Sequence, residues 1–230
     1  MKVMSFRVKV ISPLEATKAD LARRQKRYSQ VAGPATLVNV ENLSGGPQSL
    51  ETAGDVLDSA AAIYRQGKQT SPADFDAILI DCVFDPAVDE LQEATGLPTF
   101  GPTRVTIPLI ELISPNFSII ARTQRQCELL AGIVERYGYG ELLCSLRALD
   151  ISYEEAKQED IFYQVMTEKL EQATAKDQAK AIMFGSTTMA LSKEMKQAAG
   201  GAPLFMPGMV TLKLMEQLWF DGLWPSQGTR

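Results

Sequence analysis

Two short segments hold the residue types best suited to chemistry. Asp81-Cys82-Val83-Phe84-Asp85-Pro86 sets a thiol between two carboxylates, and Gly185-Ser186-Thr187-Thr188-Met189 sets three hydroxyls in a row. Each ends a continuous apolar run, Asp76–Val83 or Ala179–Phe184, and each precedes a helical pattern. Ligands of open α/β proteins collect beyond the carboxyl ends of the strands, which is where such turns lie. Free backbone N–H groups and the dipole of a following helix favour an anion there. The Cys82 thiol is therefore expected to titrate below the roughly 8.5 of a free cysteine. Packing readings stand beside the chemical ones. A free cysteine is also a common small buried hydrophobe, and a serine ahead of a helix is a natural N-cap. Asp85-Pro86 reads as N-cap and first helical residue. Asp81, inside an apolar run, has no such explanation.

The chain contains no histidine, which removes the commonest general base and the commonest metal ligand. Three cysteines (Cys82, Cys127 and Cys144) are too few and oddly numbered for a disulfide framework, and no pair has zinc-site spacing. No metal site is expected. Catalysis must run on thiol, hydroxyl, carboxylate, lysine, tyrosine or backbone dipoles. Cys127 and Cys144 fall in a helical pattern and near a strand start and read as packing residues. Arg104 and Arg122 follow loop or strand ends, where they are either carboxylate ligands or solvated surface cations.

The elements that must position these segments can be read from periodicity. Phe6–Ile11, Ala35–Val40 and the apolar run through Cys82 read as strands of a first half, with helical patterns at Ala16–Val31 and Leu50–Gln66. After Thr99–Gly101 and a helix over Val105–Leu112 the order starts again: strand Asn116–Ala121, helix Gln124–Tyr137, strand Ser145–Ile151, helix Ile161–Ala175, the run to Phe184, helix Met189–Ala199, extended Pro203–Met206 and a last helix Val210–Leu218. Strands alternating with helices predict parallel sheets flanked by helices. The repeated order predicts an α/β protein of two similar lobes with a cleft between them. Residues 1–105 with 208–230 are expected to form the first lobe and residues 106–207 the second.

Bulk properties narrow the function classes. The 230 residues carry 28 acidic and 23 basic side chains, a net charge of −5, which argues against non-specific nucleic-acid binding. No apolar run reaches the roughly 18–20 residues needed to span a bilayer, and the start lacks a hydrophobic stretch of signal-peptide length, so a cytoplasmic protein with no membrane partner is expected. Neither a Gly-x-Gly-x-x-Gly after the first strand nor a P-loop is present, which weakens a nucleotide-binding reading.

Four segments in this order and spacing resemble the aspartate/glutamate/hydantoin racemase family: Gly46-Pro47-Gln48-Ser49-Leu50-Glu51, Asp76–Pro86, Phe117-Ser118-Ile119-Ile120 and Ala181–Met189. Gly-Pro-x-Ser-x-Glu and Cys-x-x-Asp-Pro are most similar to the hydantoin/allantoin racemase branch. The resemblance implies a small-molecule substrate, an amino acid, hydantoin or small dicarboxylate. It implies no cofactor and a proton moved at a carbon alpha to a carbonyl by two thiols on opposite faces. Homo-oligomeric assembly is also expected. Cys82 matches the first thiol, and Ser186 stands where the family's second cysteine is expected. Thr187, Thr188, Val83 and Thr123 would supply donors. Ser12, in Ser12-Pro13-Leu14, stands where the family commonly has Asn-Pro-Asn. The resemblance also implies that the last helix packs back on the first lobe.

A hydroxyl is far less acidic than a thiol, and no histidine is there to activate it. The sequence therefore leaves four readings: a racemase or epimerase in which Ser186 relays a proton; a one-thiol relative, whether decarboxylase, lyase or cis–trans isomerase; a non-catalytic small-anion-binding protein; and an engineered cysteine-to-serine variant.

Overall fold

The computed structural model describes residues 5–152, 154–189 and 191–224. Two four-stranded sheets, wholly parallel, share one topology. In the first, strands β1 (Phe6–Ile11), β2 (Thr36–Glu41), β3 (Ala77–Ile80) and β4 (Thr99–Phe100) lie in the order β2-β1-β3-β4. In the second, β5 (Phe117–Ala121), β6 (Leu143–Ala148), β7 (Ile182–Phe184) and β8 (Leu204–Phe205) lie in the order β6-β5-β7-β8. The connecting helices are α1 (Lys18–Val31), α2 (Ala53–Gly67), α3 (Val88–Thr95), α4 (Pro102–Glu111), α5 (Gln124–Arg136), α6 (Glu159–Ala175), α7 (Lys193–Ala198) and α8 (Pro207–Phe220). The two-lobed α/β architecture is thus the one expected from the alternating pattern.

Although β3 is apolar throughout, its side chains alternate between two cores, as the strand period of two requires. Ala77 and Leu79 join Phe6, Val8 and Val10 of β1 under Tyr28 of α1 and Met209, Leu212 and Met215 of α8. The last helix is therefore seated on the first sheet. Ile78 and Ile80 point the other way, into a cluster that also holds Ile107 and Ile110 of α4, Phe117 and Ile119 of β5 and Leu130 of α5. This cluster runs from one sheet to the other, so the lobes are joined by continuous packing. Each fully buried aliphatic side chain contributes roughly 1.5–3 kcal/mol. The outer face of the second sheet, Ile120, Ile182 and Phe184, is covered by Phe162, Met166 and Leu170 of α6. No described helix is long and apolar enough to cross a membrane.

Several helix starts differ from the sequence expectation, and those of α3 and α7 flank the reactive segments. Asp85 does not cap α3. Its backbone and that of Ala87 are left-handed (φ 49° and 58°), so the chain loops through Pro86 and the helix begins only at Val88. The carboxylate of Asp85 caps α4 instead, accepting the N–H groups of Thr103 at 3.1 Å and Arg104 at 2.7 Å. With Gly101 as N-cap and Pro102 in the first turn, α4 starts three residues ahead of Val105. Likewise α7 begins at Lys193 with Ser192 as its cap, not at Met189. Strand β6 is displaced toward the N-terminus of the expected Ser145–Ile151 and stops at Ala148.

Candidate active site

Strands β3 and β7 occupy the same position in their sheets, each beside the first strand of its lobe. Their carboxyl ends carry Asp81-Cys82 and Gly185-Ser186. At Gly185 a Cβ would stand 2.8 Å from the Ala121 Cβ and 2.9 Å from Leu130, so only glycine lets the end of β7 lie this close to β5 and α5. Both turns open on one cavity of about 730 Å³, whose wall includes Cys82, Val83, Ser186, Thr187 and Thr188. That is within the range of small-molecule pockets, roughly 300–1,000 Å³.

Direct hydrogen bonds join the turns across the lobes. The Thr187 hydroxyl donates to the Asp81 carbonyl at 3.2 Å, and the Arg27 guanidinium donates to the Thr187 carbonyl at 3.1 Å. The Asp81 carboxylate is fully buried. It accepts the Tyr28 hydroxyl at 2.7 Å and pairs with Arg24. A carboxylate buried without such partners would be costly. Burial and the adjacent Asp81 push the Tyr28 phenol well above its ordinary range.

Cys82 departs from expectation in its titration. Burial pushes the thiol far up, and the nearby carboxylates of Asp85 and Asp81 push it further. The Phe84 backbone N–H and the Arg24 guanidinium offset this only in part. The expected lowering assumed a helix N-terminus at the thiol. With α3 starting only at Val88, the thiol is not in the helix's first turn, where the dipole acts. At neutral pH the group is therefore a thiol rather than a thiolate. Ser186 is half-buried. Its Oγ lies 2.9 Å from the Thr188 Oγ1 and accepts the Thr188 N–H at 3.1 Å, a local hydroxyl turn with no base in it.

The remaining candidates divide. Ser12 is fully buried, its hydroxyl donating to the Leu14 carbonyl at 3.0 Å; its neighbours Pro13 and Leu14 line the cavity in its place. Thr123 caps α5 by accepting the Gln126 N–H, and it donates to Glu51 at 3.2 Å. It sits behind Glu51 and Gln126, which do reach the wall. Arg122 lines the cavity paired with Glu51, whereas Arg104 pairs with Asp89 on the surface. Sequence reading missed Arg24 and Arg27, which line the cavity from α1. The signal was available: Arg23, Arg24, Arg27 and Tyr28 recur at the three- and four-residue spacing of one helix face.

Fold and site together define a two-lobed parallel α/β protein with a thiol and a row of hydroxyls at matched strand ends on one cavity. The chain belongs to the Asp/Glu/Hydantoin racemase family, whose sequence profile matches residues 8–215. It is 26% identical over 186 residues to a hydantoin racemase of Rhizobium meliloti, covering 80% of this chain and 76% of that one. A second hydantoin racemase, from Paenarthrobacter aurescens, is 22% identical over 223 residues, 95% of this chain and 91% of that one. Among solved structures, an allantoin racemase from Klebsiella pneumoniae superposes with a TM-score of 0.85 at 22% identity, covering 97% and 91% of the two chains. This likeness shows the shared fold.

Proposed function

We propose that the protein is a cofactor-independent racemase or epimerase acting at a carbon alpha to a carbonyl or carboxylate, through an enolate. The observation that carries this reading is the shared cavity of Cys82, Ser186, Thr187 and Thr188 at equivalent strand ends. Family membership supports racemase-type chemistry. The hydantoin and allantoin racemases it resembles favour an amino-acid or hydantoin-like substrate. In this reading Cys82 carries the proton on one face of the carbon and Ser186 relays on the other, while the Thr187 N–H and the Thr188 hydroxyl hold the enolate oxygen.

The test is to incubate single enantiomers of 5-substituted hydantoins, aspartate and glutamate with the enzyme in deuterium oxide. Chiral chromatography and mass spectrometry then follow inversion and exchange. Interconversion with one deuterium gained is expected, lost in Cys82→Ala and faster in Ser186→Cys. An inert native protein whose Ser186→Cys variant racemises would sink this reading.

One observation favours a second reading. Cys82 is held protonated and Ser186 is tied into a hydroxyl turn, so a single proton donor faces the substrate. An enolate formed by losing carbon dioxide from a substituted malonate would be protonated on one face only. Carbon dioxide release giving one enantiomer, abolished in Cys82→Ala, would establish that reading over racemisation.

A further inference from the structure

Four arginines line the cavity: Arg23, Arg24, Arg27 and Arg122. Three have carboxylate partners, Asp20 for Arg23, Asp81 for Arg24 and Glu51 for Arg122. Arg27 differs. It is half-buried and donates to the neutral Thr187 carbonyl at 3.1 Å. Among the described residues no carboxylate lies within ion-pairing distance of it. A guanidinium offers five N–H donors in a planar fork, and a cation withdrawn from water without a counter-charge is costly. The cost shows in its titration: burial, with the charges of Arg24 and Arg23, lowers the Arg27 pKa more than Asp81 and Tyr28 raise it. Three residues away on the same face, buried Arg24 has its Nε without a hydrogen-bond partner. The acids Glu15, Glu154 and Glu159 also border the cavity but are exposed, where solvent and salt screen their charge.

The cavity lining also has an apolar part, Leu149, Phe162, Tyr163 and Met189 of the second lobe, with Leu14 of the first. A hydantoin or amino-acid core fills only a small part of about 730 Å³, leaving room for a substituent against this apolar surface.

We infer that Arg27, flanked by Arg24, is an anion anchor, and that the substrate carries a carboxylate set against α1 and an apolar substituent set against α6. This rests on the reading of the cavity as the substrate site and names the substrate class within it. A planar carboxylate would accept two parallel N–H groups from the fork and supply the counter-charge Arg27 lacks. The anchor lies beside Thr187, whose turn carries Ser186, so the same contact orients the carbon between the two strand ends.

Binding alone tests this, without turnover. Titration calorimetry compares phenylacetate, its neutral isostere phenylacetamide, and acetate on the intact protein. Phenylacetate is expected to bind about tenfold or more tighter than phenylacetamide, the effect of a charge-assisted hydrogen bond, and tighter than acetate. Arg27→Gln should bring phenylacetate and phenylacetamide to equal affinity, while Arg27→Lys should keep part of the difference. Thermal melting confirms that each variant folds. Equal affinity of the two ligands for the native protein, no binding of either, or a preference that survives Arg27→Gln would overturn the inference. Failure of the racemase reading shows separately, as absence of inversion in the deuterium assay.

Discussion

Replacing Asp85 by asparagine should remove a pH dependence of stability whose size follows from the structure. Asp85 is buried, with 6% of its surface exposed. Burial pushes its carboxyl from the ordinary range up to about 7, against the opposing effect of the Arg104 and Thr103 N–H groups and the Tyr137 hydroxyl, which donates at 3.0 Å. In the unfolded chain the group ionises near 4. Between those values the folded protein holds a proton that the unfolded chain has lost. Stability is therefore fully present below about pH 4 and declines as pH rises to about 7, then levels off. At about 1.4 kcal/mol per pH unit the whole effect is about 4 kcal/mol, of which about 3 kcal/mol falls between pH 5 and pH 8. The window is unusually clean because the chain has no histidine, the side chain that ordinarily titrates there. Asparagine is neutral and tolerates the left-handed backbone of residue 85 (φ 49°). The assay is urea unfolding of both proteins across pH 5–8. The native protein should lose stability with rising pH, and Asp85→Asn should be nearly flat. A native profile that rises over this range, or an equal slope in the variant, would refute the reasoning.

Other outcomes follow from neighbouring contacts. Gly101→Ala would set a Cβ 2.4 Å from the Asp85 Cγ, which three hydrogen bonds hold in place; a loss of about 1–3 kcal/mol is expected from thermal or urea melting. Asp81→Ala strands the buried Arg24 guanidinium and frees the Tyr28 hydroxyl, so a loss of about 3–5 kcal/mol is expected, partly recovered by adding Arg24→Met. Alkylation by iodoacetamide at pH 7.5, followed by peptide mass spectrometry, should label exposed Cys144 well before Cys82, which is buried and held as the thiol. Light scattering on the purified protein tests the homo-oligomer that the family resemblance implies, and a monomer at micromolar concentration would remove that expectation.

The sequence by itself determined the order of elements, the parallel sheets and the two segments that meet at the cavity. These are local properties. An apolar run of strand length bounded by polar turns, or an apolar stripe at helical spacing, is written in neighbouring residues, and a doubled order of such elements specifies a doubled lobe. What the residues do chemically was decided by the tertiary structure. Cys82 looked set to be acidic, yet the packing that buries it and the carboxylates of Asp81 and Asp85 hold its proton on. Asp85 looked like a cap for the next helix, yet its partners are Thr103, Arg104 and Tyr137, the last 52 residues away. Ser12 and Thr123 carry suitable hydroxyls but spend them on Leu14 and Glu51, while Arg24 and Arg27, whose shared helix face is legible in the sequence, line the cavity only because α1 folds against it. Backbone conformation answers to a residue's neighbours in the chain. Desolvation and charge answer to its neighbours in space, and those exist only once distant segments have folded together.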